Sequence, residues 1–155
     1  MDILPFNKFS LGDRSTIEDF STVNNGVGNV CIGKDTLIGI GNVIIGPINI
    51  GNNVIFAQNI VASGLNHEYR NIRIPISKQN VLVAEIIVED DCWIAANAVI
   101  TAWIKIGKHS VVAAGAVVTK NVPSYSVAAG NPARVIKKYN FDNDKWDSVK
   151  HGEII

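Results

Sequence analysis

Several things are scarce in this chain of 155 residues, which holds two cysteines, one methionine, five prolines, three histidines and only 7% aromatic residues. The cysteines, Cys31 and Cys92, stand far apart with no metal-ligand spacing. That excludes a disulfide framework and a zinc knuckle, and the pair reads as reduced thiols. Net charge is absent too: 14 basic residues balance 14 acidic ones. Nothing in the totals therefore attracts nucleic acid or an anionic membrane, and a phosphate-bearing ligand would need a local basic patch. No apolar run approaches the roughly 18 residues that a membrane-spanning helix needs. The start, "MDILPFNKFSLGDRS", has neither the basic opening nor the apolar stretch of a signal peptide. A cytoplasmic protein is expected, forming a single domain over residues 1–155 and long enough to bury a real core.

What is present is aliphatic and periodic. Hydrophobic residues make up 47% of the chain and glycine occurs 13 times, a balance that favours turn-rich β structure over a helical bundle. Ile32, Ile38, Ile44, Ile50, Phe56 and Ala62 follow one another six apart, and Val88, Ile94, Ile100, Ile106, Val112 and Val118 do the same. Four positions after many of them stands a small or aliphatic residue, as at Thr36, Val54, Ile60, Cys92, Ala98, Ile104, Ser110 and Ala116. A period of six fits neither a helix nor a hairpin meander. It fits a short strand plus a turn, three such units closing a triangular coil of 18 residues whose inward stripe is buried by stacking. The expected fold is all-β, a parallel β-helix over about residues 13–130. Ile17, Phe20, Val23 and Val30 supply one looser coil at its start.

The rhythm breaks once. From Ala62 to Val88 the spacing is 26, two more than four hexapeptides, and residues about 67–86 around "HEYRNIRIPI" carry little alternation. They read as a loop protruding from the prism. After Gly130 and Pro132, residues about 131–155, including "NFDNDKWDSVKHGEII", are expected as a short C-terminal extension on the outside.

The stretch "CWIAANAVITAWIKIGKHSVVAAGAVVTKNVPSYSVAAGNPARVIKK", residues 92–138, resembles the hexapeptide-repeat acyltransferases, among them the galactoside, maltose, nodulation-factor and capsular-polysaccharide O-acetyltransferases. Its most specific pieces are "CWI", "GAVVTKNVP" and "AGNPARVIKK". The resemblance implies a left-handed β-helix, a homotrimer with sites between subunits, acetyl-coenzyme A as co-substrate and a sugar or glycan acceptor. No metal, nucleic acid or membrane insertion is implied. It also implies a catalytic histidine beside the protruding loop, and His67 of "GLNH" is the match.

Imidazole suits that task because it titrates near neutrality and can take the acceptor's proton as attack develops. Asn66, in an inward slot of the repeat, Glu68 and Trp93 are candidate acceptor contacts. Ala96 and Ala114, 18 apart and hence one coil above each other, match positions where the thin coenzyme arm approaches the backbone. Thr119 and Lys120 match a pair near its nucleotide, and Arg134 and Lys137 match basic positions that meet its phosphates. Lys120, Arg134, Lys137 and Lys138 together form the local patch that a neutral chain needs. The pattern also departs from the family. "TAWIKIG" places Trp103 and Ile104 where a Pro-Gly-Val type turn is usual, which bears on the trimer contact and the donor groove.

Three other readings compete. A xenobiotic acetyltransferase would share the fold. A γ-type carbonic anhydrase needs three converging histidines, whereas residues 68–73 read Glu-Tyr-Arg-Asn-Ile-Arg. A non-catalytic scaffold would need no histidine at all; on that reading His67 is an idle loop residue. His109 reads as solvated, and His151 as uninformative.

Overall fold

The computed structural model describes residues 3–149; His151 lies outside them. The chain winds as a three-sided prism of short parallel strands. One face stacks Phe9–Leu11, Val30–Ile32, Ile48–Ile50, Ile86–Val88 and Lys105–Ile106. The second stacks Thr16–Ile17, Leu37–Ile38, Ile55–Phe56, Trp93–Ile94, Val111–Val112 and Ser126–Ala129. The third stacks Thr22–Asn24, Val43–Ile45, Val61–Ser63, Val99–Ile100 and Val117–Val118. The chain passes from first to second to third face and then climbs to the next coil. Here the first edge joins the first and second faces, the second edge joins the second and third, and the third edge returns from third to first. This is the left-handed β-helix that the resemblance implies.

Every residue of the two six-spaced runs points inward and is buried, from Ile32 to Val118. The second inward slot is filled by Thr36, Val54, Ile60, Cys92, Ala98, Ile104, Ser110 and Ala116, all buried. Polar members of this slot are not left bare. The Thr36 hydroxyl donates to the Gly51 carbonyl at 2.9 Å, and the Ser110 hydroxyl to that of Pro123 at 2.8 Å. Each reaches a corner carbonyl of the next coil, as a buried polar group must. The corners use left-handed backbone, with Asp35, Asn53, Asp91, Asn59 and Asn97 at positive φ, the residue types that tolerate it best after glycine.

The register steps up the first face are 21, 18, 38 and 18 residues, from Phe9↔Val30, Val30↔Ile48, Ile48↔Ile86 and Ile87↔Lys105. Two corrections to the expectations follow. The prism starts at Phe9 and not near residue 13, because three extra residues at the Asn24–Asn29 corner hide the first coil from an 18-residue count. Phe20 is not in the core: it is 88% exposed at a corner with φ 60, and the inward positions are Ile17 and Val23, six apart on either side.

The long step contains the excursion. It departs earlier than His67: Leu65–His67 pairs antiparallel with Val81–Val83, followed outward by a 3₁₀ turn at Ile76–Lys78. The arm returns at Ala84, whose N–H donates to the Gly64 carbonyl at 2.9 Å, and Ile86 is already in the wall. At the far end, Arg134–Asn140 pairs antiparallel with Ser126–Ala129, and Lys145–Ser148 pairs with Arg134–Asn140. The C-terminal extension is thus a hairpin that continues the second face. No helix among the described residues is long and apolar enough to cross a membrane.

Candidate active site

The arm leaves the prism at the third edge. Gly64 is required at its root, since a β-carbon there would lie 2.7 to 2.8 Å from atoms of Pro47 on the coil below. Three residues further out His67 is exposed, its backbone in register with Val81. Asn66 does not occupy an inward slot. It is exposed and opposite Leu82, because beyond Gly64 the strand has left the wall and the inside–outside alternation no longer refers to the core. Glu68 is turned away to shape the arm: its Oε1 accepts from the N–H groups of Tyr69 at 2.9 Å and Arg70 at 3.0 Å. These donors, that of Arg70 first, hold its carboxyl below the ordinary glutamate value.

Thr119 and Lys120 are exposed at the same third edge, two coils beyond the arm. With parallel neighbours about 4.8 Å apart, that is roughly 10 Å of rise. Between them, on the coil next to the arm, stands Trp103.

Ala96 and Ala114 lie across the third face, on the second edge. They stack as expected, the Gly115 N–H donating to the Ala96 carbonyl at 2.9 Å. Gly115 has φ +69, and a β-carbon on it would meet no atom within 4 Å, so this corner opens directly to solvent. Above it the chain folds over at Gly130 to Ala133, where the Gly130 carbonyl accepts from Val117 and the Ala133 N–H donates to the Val117 carbonyl. Arg134 follows at this edge opposite Ala129, and Lys137 stands opposite Val127 further along the second face. Small residues below and Arg134 above therefore share one column.

Trp93 joins neither edge. It lies half-exposed on the outer side of the second face, in register with Ile55 below and Val111 above. One chain thus gathers the expected site residues into two groups, His67 with Thr119 and Lys120, and Ala96 and Ala114 with Arg134. They are separated by the width of the third face, up to about 20 Å for a six-residue side. Sequence reading passed over the arm's own cations. Arg70, Arg73 and Lys78 are exposed on it, and the signal was legible as a stretch from 69 to 80 with three cations and no carboxylate. His109 is not simply solvated: its ring stacks on Tyr125 at 5.8 Å between centroids. Among the described residues no three His, Cys, Asp or Glu side chains come together as metal ligands would.

Repeat, coil and interrupted third edge define a hexapeptide-repeat β-helix. Residues 85–120 match the model of the bacterial transferase hexapeptide (six repeats). Over 53 residues, 34% of this chain, it is 55% identical to a 2,3,4,5-tetrahydropyridine-2,6-dicarboxylate N-acetyltransferase of Staphylococcus aureus; the match spans only 22% of that enzyme's length. Among solved structures, a maltose O-acetyltransferase from Clostridium difficile 630 is similar at 27% identity and TM-score 0.61, covering 85% of this chain and 65% of that one. A variant of AntD, an N-acyltransferase from Bacillus cereus in complex with dTDP-4-amino-4,6-dideoxyglucose and coenzyme A, shares the fold. Its TM-score is 0.75 at 20% identity, over 87% of this chain and 75% of that one.

Proposed function

We propose that this protein is an acetyl-coenzyme A-dependent O-acetyltransferase that passes the acetyl group directly to a hydroxyl of a sugar or polysaccharide precursor, in the cytoplasm, with His67 as general base. The observation that carries this reading is the division of the site between two edges. An exposed imidazole at the root of an arm occupies one edge; a small-residue column capped by Arg134 occupies the other. Set against the second edge of a neighbouring copy, the third edge of one chain faces a complete site, which is why a homotrimer is part of the proposal. The outer sides of both flanking faces support association: Leu37, Ile55 and Trp93 are exposed on the second, and Val61 on the third, apolar side chains that a neighbouring copy would cover.

In the step itself, a neutral His67 takes the proton of the acceptor hydroxyl as its oxygen attacks the thioester carbonyl. The tetrahedral adduct then expels sulfur, and the imidazolium returns the proton to the departing thiolate. The sugar ester and the free thiol leave, and the histidine is restored. Ala96 and Ala114 allow close approach of the pantetheine arm, while Thr119, Lys120, Arg134 and Lys137 receive its nucleotide end, whose phosphates need cations in a chain of zero net charge.

The test is His67→Ala in a thiol-release assay with acetyl-coenzyme A and maltose, glucose or galactose. General-base loss lowers turnover by about 10²- to 10⁴-fold, with the melting temperature unchanged because the ring is exposed. Equal turnover in both proteins rules out the base. N-acyl transfer is the second reading, favoured by the N-acetyltransferase and N-acyltransferase among the similar proteins. Glucosamine run beside glucose decides it, since hydroxylamine cleaves an ester product and spares an amide.

A further inference from the structure

Trp103 is in the left-handed region, φ 68, and 56% exposed. A bulky side chain at positive φ is strained. Most other corners of the prism meet the same demand with Gly41 or Gly115 or with Asn and Asp; Arg14, Phe20, His109 and Tyr125 are the exceptions beside Trp103. The surroundings hold the conformation in place. Before it, the Thr101 hydroxyl donates to the Val118 carbonyl at 3.0 Å, and Ala102 is buried. After it, the Ile104 carbonyl accepts from Ile87 at 2.9 Å and the Lys105 N–H donates to Asn121 Oδ1 at 2.8 Å. Glycine would satisfy this corner without strain, so a tryptophan there is not explained by the turn.

A tyrosine and a phenylalanine share the backbone region and differ in setting. Tyr125 is covered by His109 and Phe141, and Phe20 is on the first coil, remote from the arm. Trp103 alone of the three is on the third edge. The pairing of Ile87 with Lys105 puts it one coil above Glu85, where the arm rejoins the wall. The indole therefore stands beside the root of the arm that carries His67.

We infer that Trp103 is a specificity-determining residue of the acceptor site, its exposed indole forming the wall on which the ring of a pyranose acceptor packs while the sugar's hydroxyl meets His67. This rests on the acetyltransferase reading above. The chemistry matches: a pyranose presents C–H groups on its face and hydroxyls on its rim, and indole offers a flat apolar face with one N–H donor at its edge. A thin pantetheine chain needs small residues, and those are on the second edge at Ala96 and Ala114, across the third face from Trp103.

The experiment compares the parent with Trp103→Gly and Trp103→Phe, using maltose and the methyl glycosides of glucose and galactose as probes. Trp103→Gly is expected to keep or raise the melting temperature, because strain is relieved, while the KM for the sugar rises about tenfold and that for acetyl-coenzyme A stays put. Trp103→Phe, which keeps an aromatic face, recovers most of the loss. Titrated with sugar alone, the parent's tryptophan emission changes and that of Trp103→Gly does not. This readout needs no transfer, so it survives a failure of the His67 assignment and separates the two. A rise in the KM for acetyl-coenzyme A alone would make Trp103 a donor-groove residue, and a changed assembly mass without a KM split would make it a subunit contact. Either result overturns the inference, as does parent emission unmoved by every probe.

Discussion

Asn42 shows how little a single letter says before its neighbours are known. It is fully buried. Its amide donates to the carbonyls of Gly39 at 2.6 Å and Ala57 at 2.8 Å, and its Oδ1 accepts from the Ile60 N–H at 2.7 Å. Asn42→Leu would strand those backbone groups, and roughly 2–4 kcal/mol of stability should go with them; urea denaturation measures it, and a loss under about 0.5 kcal/mol would contradict the account. The thiols offer a second check at this scale. Burial pushes the Cys92 thiol up to about 11, and its Sγ donates to the Gly107 carbonyl at 3.2 Å. In native protein at pH 8, a disulfide reagent followed by mass spectrometry should modify only the half-buried Cys31. Both thiols were visible as reduced cysteines in the sequence, but their difference in reactivity comes from which one points into the prism.

At the scale of elements, the arm is an addition to the prism and not part of its core. None of residues 65–85 is buried, and Ile72 is 95% exposed. Joining Leu65 to Val83 through an Asn-Gly turn should therefore leave the β-helix circular dichroism and most of the stability intact while abolishing acetyl transfer. A collapse of the whole fold would show that the arm carries structural weight. Within the arm, Glu68 accepts two backbone hydrogen bonds that favour its charged form. Its folded pKa is depressed, so this support is present above the ordinary value of 4.5 and is lost as pH falls through the lower folded value. The amide resonances of Tyr69 and Arg70 should titrate together with a midpoint below 4.5; a midpoint at or above it would show that the cap does not form. The existence of the excursion was legible in the broken spacing. Its start at Leu65 was not, because Leu65 to His67 keeps a strand-like pattern and only the partner strand, Val81–Val83, reveals that it has turned outward.

For the whole molecule, the outer ladder of Leu37, Ile55, Trp93, Val111 and Val127 on the second face is the surface that assembly should cover. Ile55→Glu places a charge in its middle and is expected to lower the mass in sedimentation from trimer to monomer, with loss of transfer. A trimer of full activity would move the interface elsewhere. The fold itself could be read from the chain alone, since a strict six-residue period admits one economical burial: three inward stripes stacked coil on coil, each paying its hydrogen bonds to the next. The types of the candidate site residues were legible for a similar reason, as a histidine at the interruption and cations after the last coil. What only the tertiary structure decided is which edge each residue occupies. A hexapeptide count is the same for every side of a triangle, so it cannot tell a neighbour along an edge from a residue across a face. Insertions such as the 20 extra residues in the 38-residue step shift the phase visibly, but the shift does not say from which edge they leave. The separation of His67 from Ala96 and Ala114 by one whole face, and with it the case for a site completed by a second copy, follows from the winding of the coil and not from the order of the letters.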